Sequence, residues 1–214
     1  MSLPPGQVPD LVARVAAGDR EALVELLARY RARLRRMVAL RLDPRLQGRV
    51  DASDVIQEGY LDAIKRLDDY IRDPSVSFYI WLRFLVGQRV ADCHRRYLAR
   101  PGRDVGREVS IYRGAMPGVS SGALAARLLG KLTSPLQAAM RAERKLQLQE
   151  ALNRMDPIDR EVLVLRHYEQ MSNVDAAAAL GLERAAASKR YTRALERLEK
   201  ILGDLPGGVG GDAP

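Results

Sequence analysis

Cysteine is almost absent from this chain: Cys93 stands alone among 214 residues. One thiol can close no disulfide within the chain and cannot build a thiolate zinc site. Histidine is nearly as scarce, and His94 and His167 stand far apart. The adjacency of Cys93 and His94 is poor ligand geometry, so no metal is expected. The chain also offers no Ser/His/Asp set and no phosphate-cradling glycine loop. That argues against an enzyme, a bound cofactor and a small-molecule substrate. No apolar run is long enough to cross a bilayer. The opening Met1-Ser2-Leu3-Pro4-Pro5-Gly6 lacks the apolar core of a signal peptide, so a cytoplasmic chain with no membrane insertion is expected. Acids are the minority charge, 27 against 35 lysines and arginines. No alternating strand pattern of useful length occurs, which leaves an all-α fold.

What is present is a folding chain with a basic balance. Hydrophobic residues make up 47%, enough for a packed core. The isoelectric point near 9.9 favours a polyanionic partner. Helical periodicity predicts a first helix from about Asp10 to Ala17, stopped at Gly18. Asp19 can cap the next, which carries Ala22, Leu23, Leu26, Leu27, Tyr30, Leu34, Met37 and Val38. Asp51 or Ser53 opens a third, with Val55, Ile56, Tyr60, Leu61, Ile64 and Leu67 as its apolar residues. The run Phe78-Tyr79-Ile80-Trp81-Leu82 starts a fourth that ends in His94-Arg95-Arg96-Tyr97. Residues 99–134 are rich in Gly, Pro and Ser, with one short helix expected at Ala123–Leu129. A connection of that length marks a domain boundary. Two helical domains are expected, 10–98 and 135–203, joined by a flexible linker. Periodicity returns at Leu136 and runs to Met155, and Asp156-Pro157 starts another helix with Val162, Leu163, Leu165 and Tyr168 inward. A glycine-rich tail closes the chain at Gly207–Gly211.

The stretch Ala176–Tyr191 reads as helix, tight turn, helix. Asn173 can cap the first helix. Gly181 sits where it must stop. Ala187, Tyr191, Ala194, Leu195 and Leu198 make the buried stripe of the second helix. Arg184, Ser188, Lys189, Arg190, Arg193 and Arg197 lie off that stripe, as in a helix that reads a major groove. Two helices about a glycine turn also occur in ordinary bundles, so this stretch alone leaves both readings open.

Further residues decide between them. Asp54, Gln57, Glu58 and Asp62 recur at three- and four-residue steps and make an acidic strip. Trp81-Leu82 is followed by Arg83, Gln88, Arg89, Arg95 and Arg96. With Met155-Asp156-Pro157-Ile158-Asp159-Arg160-Glu161-Val162-Leu163 and the run Arg190–Leu198, the chain resembles bacterial RNA polymerase sigma factors of the sigma-70 family, extracytoplasmic-function group. The resemblance covers nearly the whole chain.

It implies a promoter-specificity factor with two partners, core RNA polymerase and promoter DNA, and admits an anti-sigma factor as a third. It implies that Asp54, Gln57, Glu58 and Asp62 grip a basic coiled coil of the largest polymerase subunit. Tyr79, Trp81, Arg83, Gln88, Arg89, Arg95 and Arg96 would recognise and melt the −10 element. A base leaving the stack would be received by aromatics and arginines. The helix-turn-helix would bind the −35 element through Arg184, Ser188, Lys189, Arg190 and Arg193. Arg184 and Ser188 are expected to face the groove floor together. The chain departs from the family at Gln88, where Asn is common, and in the alanines 185–187 of the recognition helix. The competing reading is a helix-turn-helix regulator that works without being a polymerase subunit.

Overall fold

The structure is a computed structural model that describes residues 7–46, 48–98, 117–129 and 135–204, with Gln7 and residues 135–141 through their backbone alone. Of the expected linker, 99–116 and 130–134 lie outside the described residues, as do the glycine-rich tail and the first six residues. The described residues contain helices and no strand. The chain divides into two compact units, Met1–Pro117 and Gly118–Pro214.

In the first unit, α1 spans Gln7–Ala16 and α2 Arg20–Arg41. The first helix thus begins three residues before the expected Asp10. Asp19 caps α2 as expected, its carboxylate accepting from the amides of Glu21 and Ala22. The third helix, α3, covers Ala52–Lys65 and is capped by Asp51, not Ser53. A short α4 (Leu67–Arg72) leads to α5, Phe78–Leu98. Leu26, Leu34, Met37, Ile56, Leu82 and Leu85 are fully buried where α2, α3 and α5 meet. The α3–α5 crossing is tight, because a Cβ on Gly59 would come within 2.5 Å of Val86 Cγ2.

That crossing corrects the expected apolar face of α3. With Gly59 against Val86, the buried positions are Val55, Ile56, Gly59 and Ala63. Leu61 and Ile64, expected in the core, are turned out and remain 57% and 51% exposed. Leu67 belongs to α4. Tyr60 is half-buried, and its hydroxyl donates to the Leu27 carbonyl at 2.8 Å, tying α3 to α2.

In the second unit, α6 spans Ser121–Leu128, capped by the Ser120 hydroxyl, and α7 spans Pro135–Asn153. The unit therefore begins at Gly118, not at residue 135. The physical reason is burial: Leu124 and Ala125 are shielded where α6 packs on α7. The helix expected within the linker is part of this fold. Next comes α8, Pro157–Leu163, with Asp156 as N-cap and Pro157 in its first turn as expected. A π-helical turn, Val164–Tyr168, follows it. The last two helices are α9 (Asn173–Leu180) and α10 (Arg184–Gly203). Ser172 caps α9 in place of the expected Asn173, its hydroxyl accepting from the Asp175 amide at 3.0 Å. Gly181 ends α9 in the left-handed conformation, φ 60°, which glycine adopts without strain.

Candidate nucleic-acid interface

Two helix faces carry the residues singled out from sequence. The first is built on α3 and α5. Asp54, Gln57 and Glu58 are exposed along α3. Asp62 lies at the inner end of that strip, where its Oδ2 accepts from Arg89 Nε at 2.5 Å. Arg89 also meets Asp92 at 3.1 Å, and Asp92 is bonded in turn to Arg95. The hydrogen bond to Asp62, and then the fields of Asp62, Asp92 and Glu58, raise the Arg89 guanidinium above its ordinary pKa. Two residues assigned to different partners, Asp62 and Arg89, are thus joined to each other. The acidic strip of α3 and the basic end of α5 are held in one frame.

The aromatic run of α5 divides by burial. Tyr79 and Arg83 are 2% and 5% exposed, so in this conformation neither presents its side chain to a DNA strand, contrary to expectation. The Arg33 guanidinium lies 3.7 Å from the centre of the Tyr79 ring, a cation–π contact within the fold. Burial follows from register: Phe78, Tyr79, Leu82 and Val86 fall on the face turned to α2 and α3. Trp81, Gln88 and Arg89 are half-buried, and Arg95, Arg96 and Tyr97 are exposed. The Trp81 ring stacks on Tyr70 with centroids 4.6 Å apart and 25° between planes. Tyr70 is fixed in turn, its hydroxyl donating to the Val76 carbonyl at 3.0 Å. Burial pushes that hydroxyl up to about pKa 12, so it stays a neutral donor. Sequence reasoning missed Tyr70. Its only signal was an aromatic residue in a short helix just before the Trp81 segment.

The second face is α10. Ala187 and Ala194 are buried, with Tyr191, Leu195 and Leu198 half-buried, so the expected stripe forms. Arg184, Lys189 and Arg193 are exposed. Ser188 and Arg190 are not free in the same way. Ser188 accepts from Asn173 Nδ2 of α9 at 3.4 Å. Arg190 Nη1 donates to Asp159 at 2.7 Å and lies 3.7 Å from Asp156. Arg184 and Ser188 therefore do not share an open face, because Ser188 leans on α9. Neither Asn173 nor Asp159 was picked out from sequence as a partner of α10.

Comparisons with known proteins follow the same division. Residues 26–100 match the family model described as Sigma-70 region 2. Residues 145–198 match that of Sigma-70, region 4. The ECF RNA polymerase sigma factor SigD of Mycobacterium tuberculosis (strain ATCC 25618 / H37Rv) is 30% identical over 192 residues, covering 88% of this chain and 81% of that protein. The chain belongs to the ECF RNA polymerase sigma factors. The sigma factor CnrH of Cupriavidus metallidurans is 29% identical over 195 residues, covering 90% of this chain and 92% of its own length. A solved structure of CnrH in complex with the cytosolic domain of CnrY matches the fold with a TM-score of 0.53 at 24% identity, covering 92% of this chain and 99% of that one. This sigma factor is accordingly a promoter-specificity subunit for transcription initiation. The reading as a separate helix-turn-helix regulator is not favoured.

Proposed function

We propose a division of labour among the two faces. The exposed strip Asp54, Gln57 and Glu58 docks on core polymerase, with Asp62 as its inner anchor. Trp81, Gln88, Arg95 and Arg96 hold the opened −10 strand, and Arg89 steadies their helix against α3 through Asp62. Tyr79 and Arg83 support that surface from beneath. On α10, Arg184 reads a −35 base pair while Lys189 and Arg193 take phosphates. The protein works in the cytoplasm beside polymerase and performs no bond chemistry itself. The solved complex of CnrH with the cytosolic domain of CnrY supports a protein partner besides polymerase.

The observation that carries this reading is the pairing of α3 and α5. An exposed acidic strip and an exposed basic helix end lie on two helices that cross at Gly59 and Val86 and are bridged by Asp62 and Arg89. One unit can thereby meet a basic protein and an anionic strand at once. Each contact is electrostatically complementary, which favours fast and selective association.

The test is run-off transcription on a promoter library with core polymerase, with and without this protein. Start sites that appear only with the protein, and that need both promoter elements, are expected. Duplex binding that is unaffected by polymerase, with no new start sites, would overturn the assignment in favour of a free-standing regulator.

A further inference from the structure

Arg190 looks from sequence like one more cation on the outer face of the recognition helix. Its geometry says otherwise. At 100° per residue it flanks the Ala187–Tyr191–Ala194 stripe on one side, and Ser188 flanks it on the other. From that flank its guanidinium reaches a different helix. It donates to Asp159 at 2.7 Å and lies 3.7 Å from Asp156, both in or beside the first turn of α8. The Asp159 side chain is 14% exposed and that of Arg190 35%. Asp156 is also the N-cap of α8, accepting from the Ile158 amide at 2.7 Å. Helix N-termini favour carboxylates, and both acids lie at that end of α8, where Arg190 meets them. A guanidinium already engaged by two carboxylates is not offered to a phosphate.

The rest of the α10 interface explains why such a tie matters. Its fully buried contacts are alanines, Ala187 and Ala194. Small side chains let helices come close but interlock weakly, so they define rotation about the helix axis poorly. On the far flank, the Asn173–Ser188 contact is long, at 3.4 Å. Tyr191 adds a 3.1 Å hydrogen bond to His167, and Arg190 adds the shorter, charge-assisted bond that can fix rotation and axial position together.

We infer that Arg190 is a positioning residue for −35 recognition: latched to Asp159 and Asp156 of α8, it sets the rotation of α10 that brings Arg184, Lys189 and Arg193 to the DNA. The inference rests on reading α10 as the −35 helix. It removes Arg190 from the phosphate contacts. It also gives the Asp156–Asp159 segment a role in promoter choice without touching DNA.

The experiment uses the full chain with core polymerase and promoter DNA randomised at the −35 element. Affinity is measured over a range of salt for Arg190→Ala, Asp159→Ala, the double variant, the reciprocal pair Arg190→Asp with Asp159→Arg, and Arg193→Ala as reference. Arg190→Ala and Asp159→Ala should each lower affinity about threefold to tenfold, and the double variant should lose no more than either single one. Both should flatten the −35 preference alike while the salt slope stays unchanged. The reciprocal pair should regain most of the loss.

A phosphate contact behaves differently: Arg190→Ala would lower the salt slope by about one unit and Asp159→Ala would leave binding intact or tighten it. That pattern, or additive losses in the double variant, overturns the inference. A merely structural tie would lower thermal stability without altering the base preference, and that result overturns it too. Should Arg190→Ala fail to melt cooperatively, Arg190→Lys and the reciprocal pair, which keep the charges, decide by the same two readouts. If Arg193→Ala loses affinity while the Arg190 and Asp159 variants do not, the latch alone is wrong. If none of the variants responds, the −35 reading of α10 falls and takes the latch with it.

Discussion

The two units solve the same packing problem with different side chains. In the first, large aromatics fill the space: Tyr30, Tyr70, Phe78, Tyr79 and Trp81 touch one another in a chain of ring contacts. Among the described residues its tightest glycine approach is Gly59 against Val86. In the second, alanines at 176, 177, 179, 187 and 194 are buried, so close approach is spread along short helices. The difference suits the two tasks proposed for them. Holding an opened strand calls for broad ring faces and cations on a stiff frame. Reading a groove calls for a slim pair of helices whose outer face can enter it. Bulk gives the first unit its rigidity, and thinness gives the second its reach. Leu124, Leu148, Leu152, Leu163 and Leu165 fill the core of that unit, while α10, whose buried contacts are alanines, is also held by polar ties such as Arg190–Asp159.

The largest effect that bears on this contrast is expected at the acidic strip. Glu58 is exposed and supports no core contact. Glu58→Lys should therefore leave both units folded, while like charge against a basic partner costs several kcal/mol of polymerase affinity. Co-purification with core polymerase checks it. Recovery equal to that of the unaltered protein would detach the strip from polymerase binding.

Next in size is the crossing at Gly59. Gly59→Ala places a Cβ within 2.5 Å of Val86 Cγ2 and 3.0 Å of the Val86 backbone. The first unit should lose about 1–3 kcal/mol, as overpacked cores do. Adding Val86→Ala removes the Cγ2 conflict and should restore part of the loss. Thermal melting with domain-resolved hydrogen exchange reads the effect, and protection in α9 and α10 should not change. A loss shared equally by both units would break the contrast between them.

How much of this was legible beforehand depends on the range of the interaction. Local chemistry was readable: Asp19, Asp51 and Asp156 cap the helices that follow them, and Gly181 stops α9. Each signal lies within a few residues of its effect. The outward turn of Leu61 and Ile64 was not readable, because periodicity alone cannot show that α3 crosses its neighbour at Gly59. Nor could the sequence assign partners to its arginines. Arg89 meets Asp62 across 27 residues, and Arg190 meets Asp159 across 31. From sequence both count simply as basic residues on a helix face. The boundary of the second unit was misplaced for a related reason. The small and apolar residues of α6 look like linker until α7 is there to bury Leu124 and Ala125.

A smaller effect separates base reading from phosphate binding on α10. Arg184→Ala should relax preference at one or two −35 positions, worth about 1–3 kcal/mol for a good bidentate contact. Arg193→Ala should weaken all sequences alike and lower the salt slope by about one unit. Binding to a −35 library at several salt concentrations checks both. If the two variants exchange behaviours, the rotation of α10 on DNA differs from the one its buried stripe implies.

The smallest effect concerns a tie within the first unit that the aromatic packing does not supply. The Asp43 amide, just past the end of α2, donates to His94 Nε2 near the end of α5 at 3.1 Å. The accepting nitrogen must be unprotonated, so the ring is neutral with its proton on Nδ1. Burial, the largest cause, lowers the His94 pKa below 6.5; Asp43 opposes that shift and Arg45 adds to it. Asp43 stays ionised throughout, since its hydrogen bonds from the Arg45 side chain and amide hold it at about 2. On acidification the unfolded chain takes up the histidine proton first. The stabilisation is thus complete above pH 6.5 and is lost as pH falls through the lower folded value. The ring is only half-buried, and solvent screening keeps the effect small. Hydrogen exchange at Asp43, corrected for intrinsic rate, reads it directly. Between pH 7.5 and 5.5 its protection should fall relative to Leu42, whose amide bonds the Val38 carbonyl within the same helix end. In His94→Gln, which cannot titrate, that relative change should vanish. If Asp43 and Leu42 lose protection in parallel in the unaltered protein, the helix ends are joined by packing alone and the histidine tie contributes nothing.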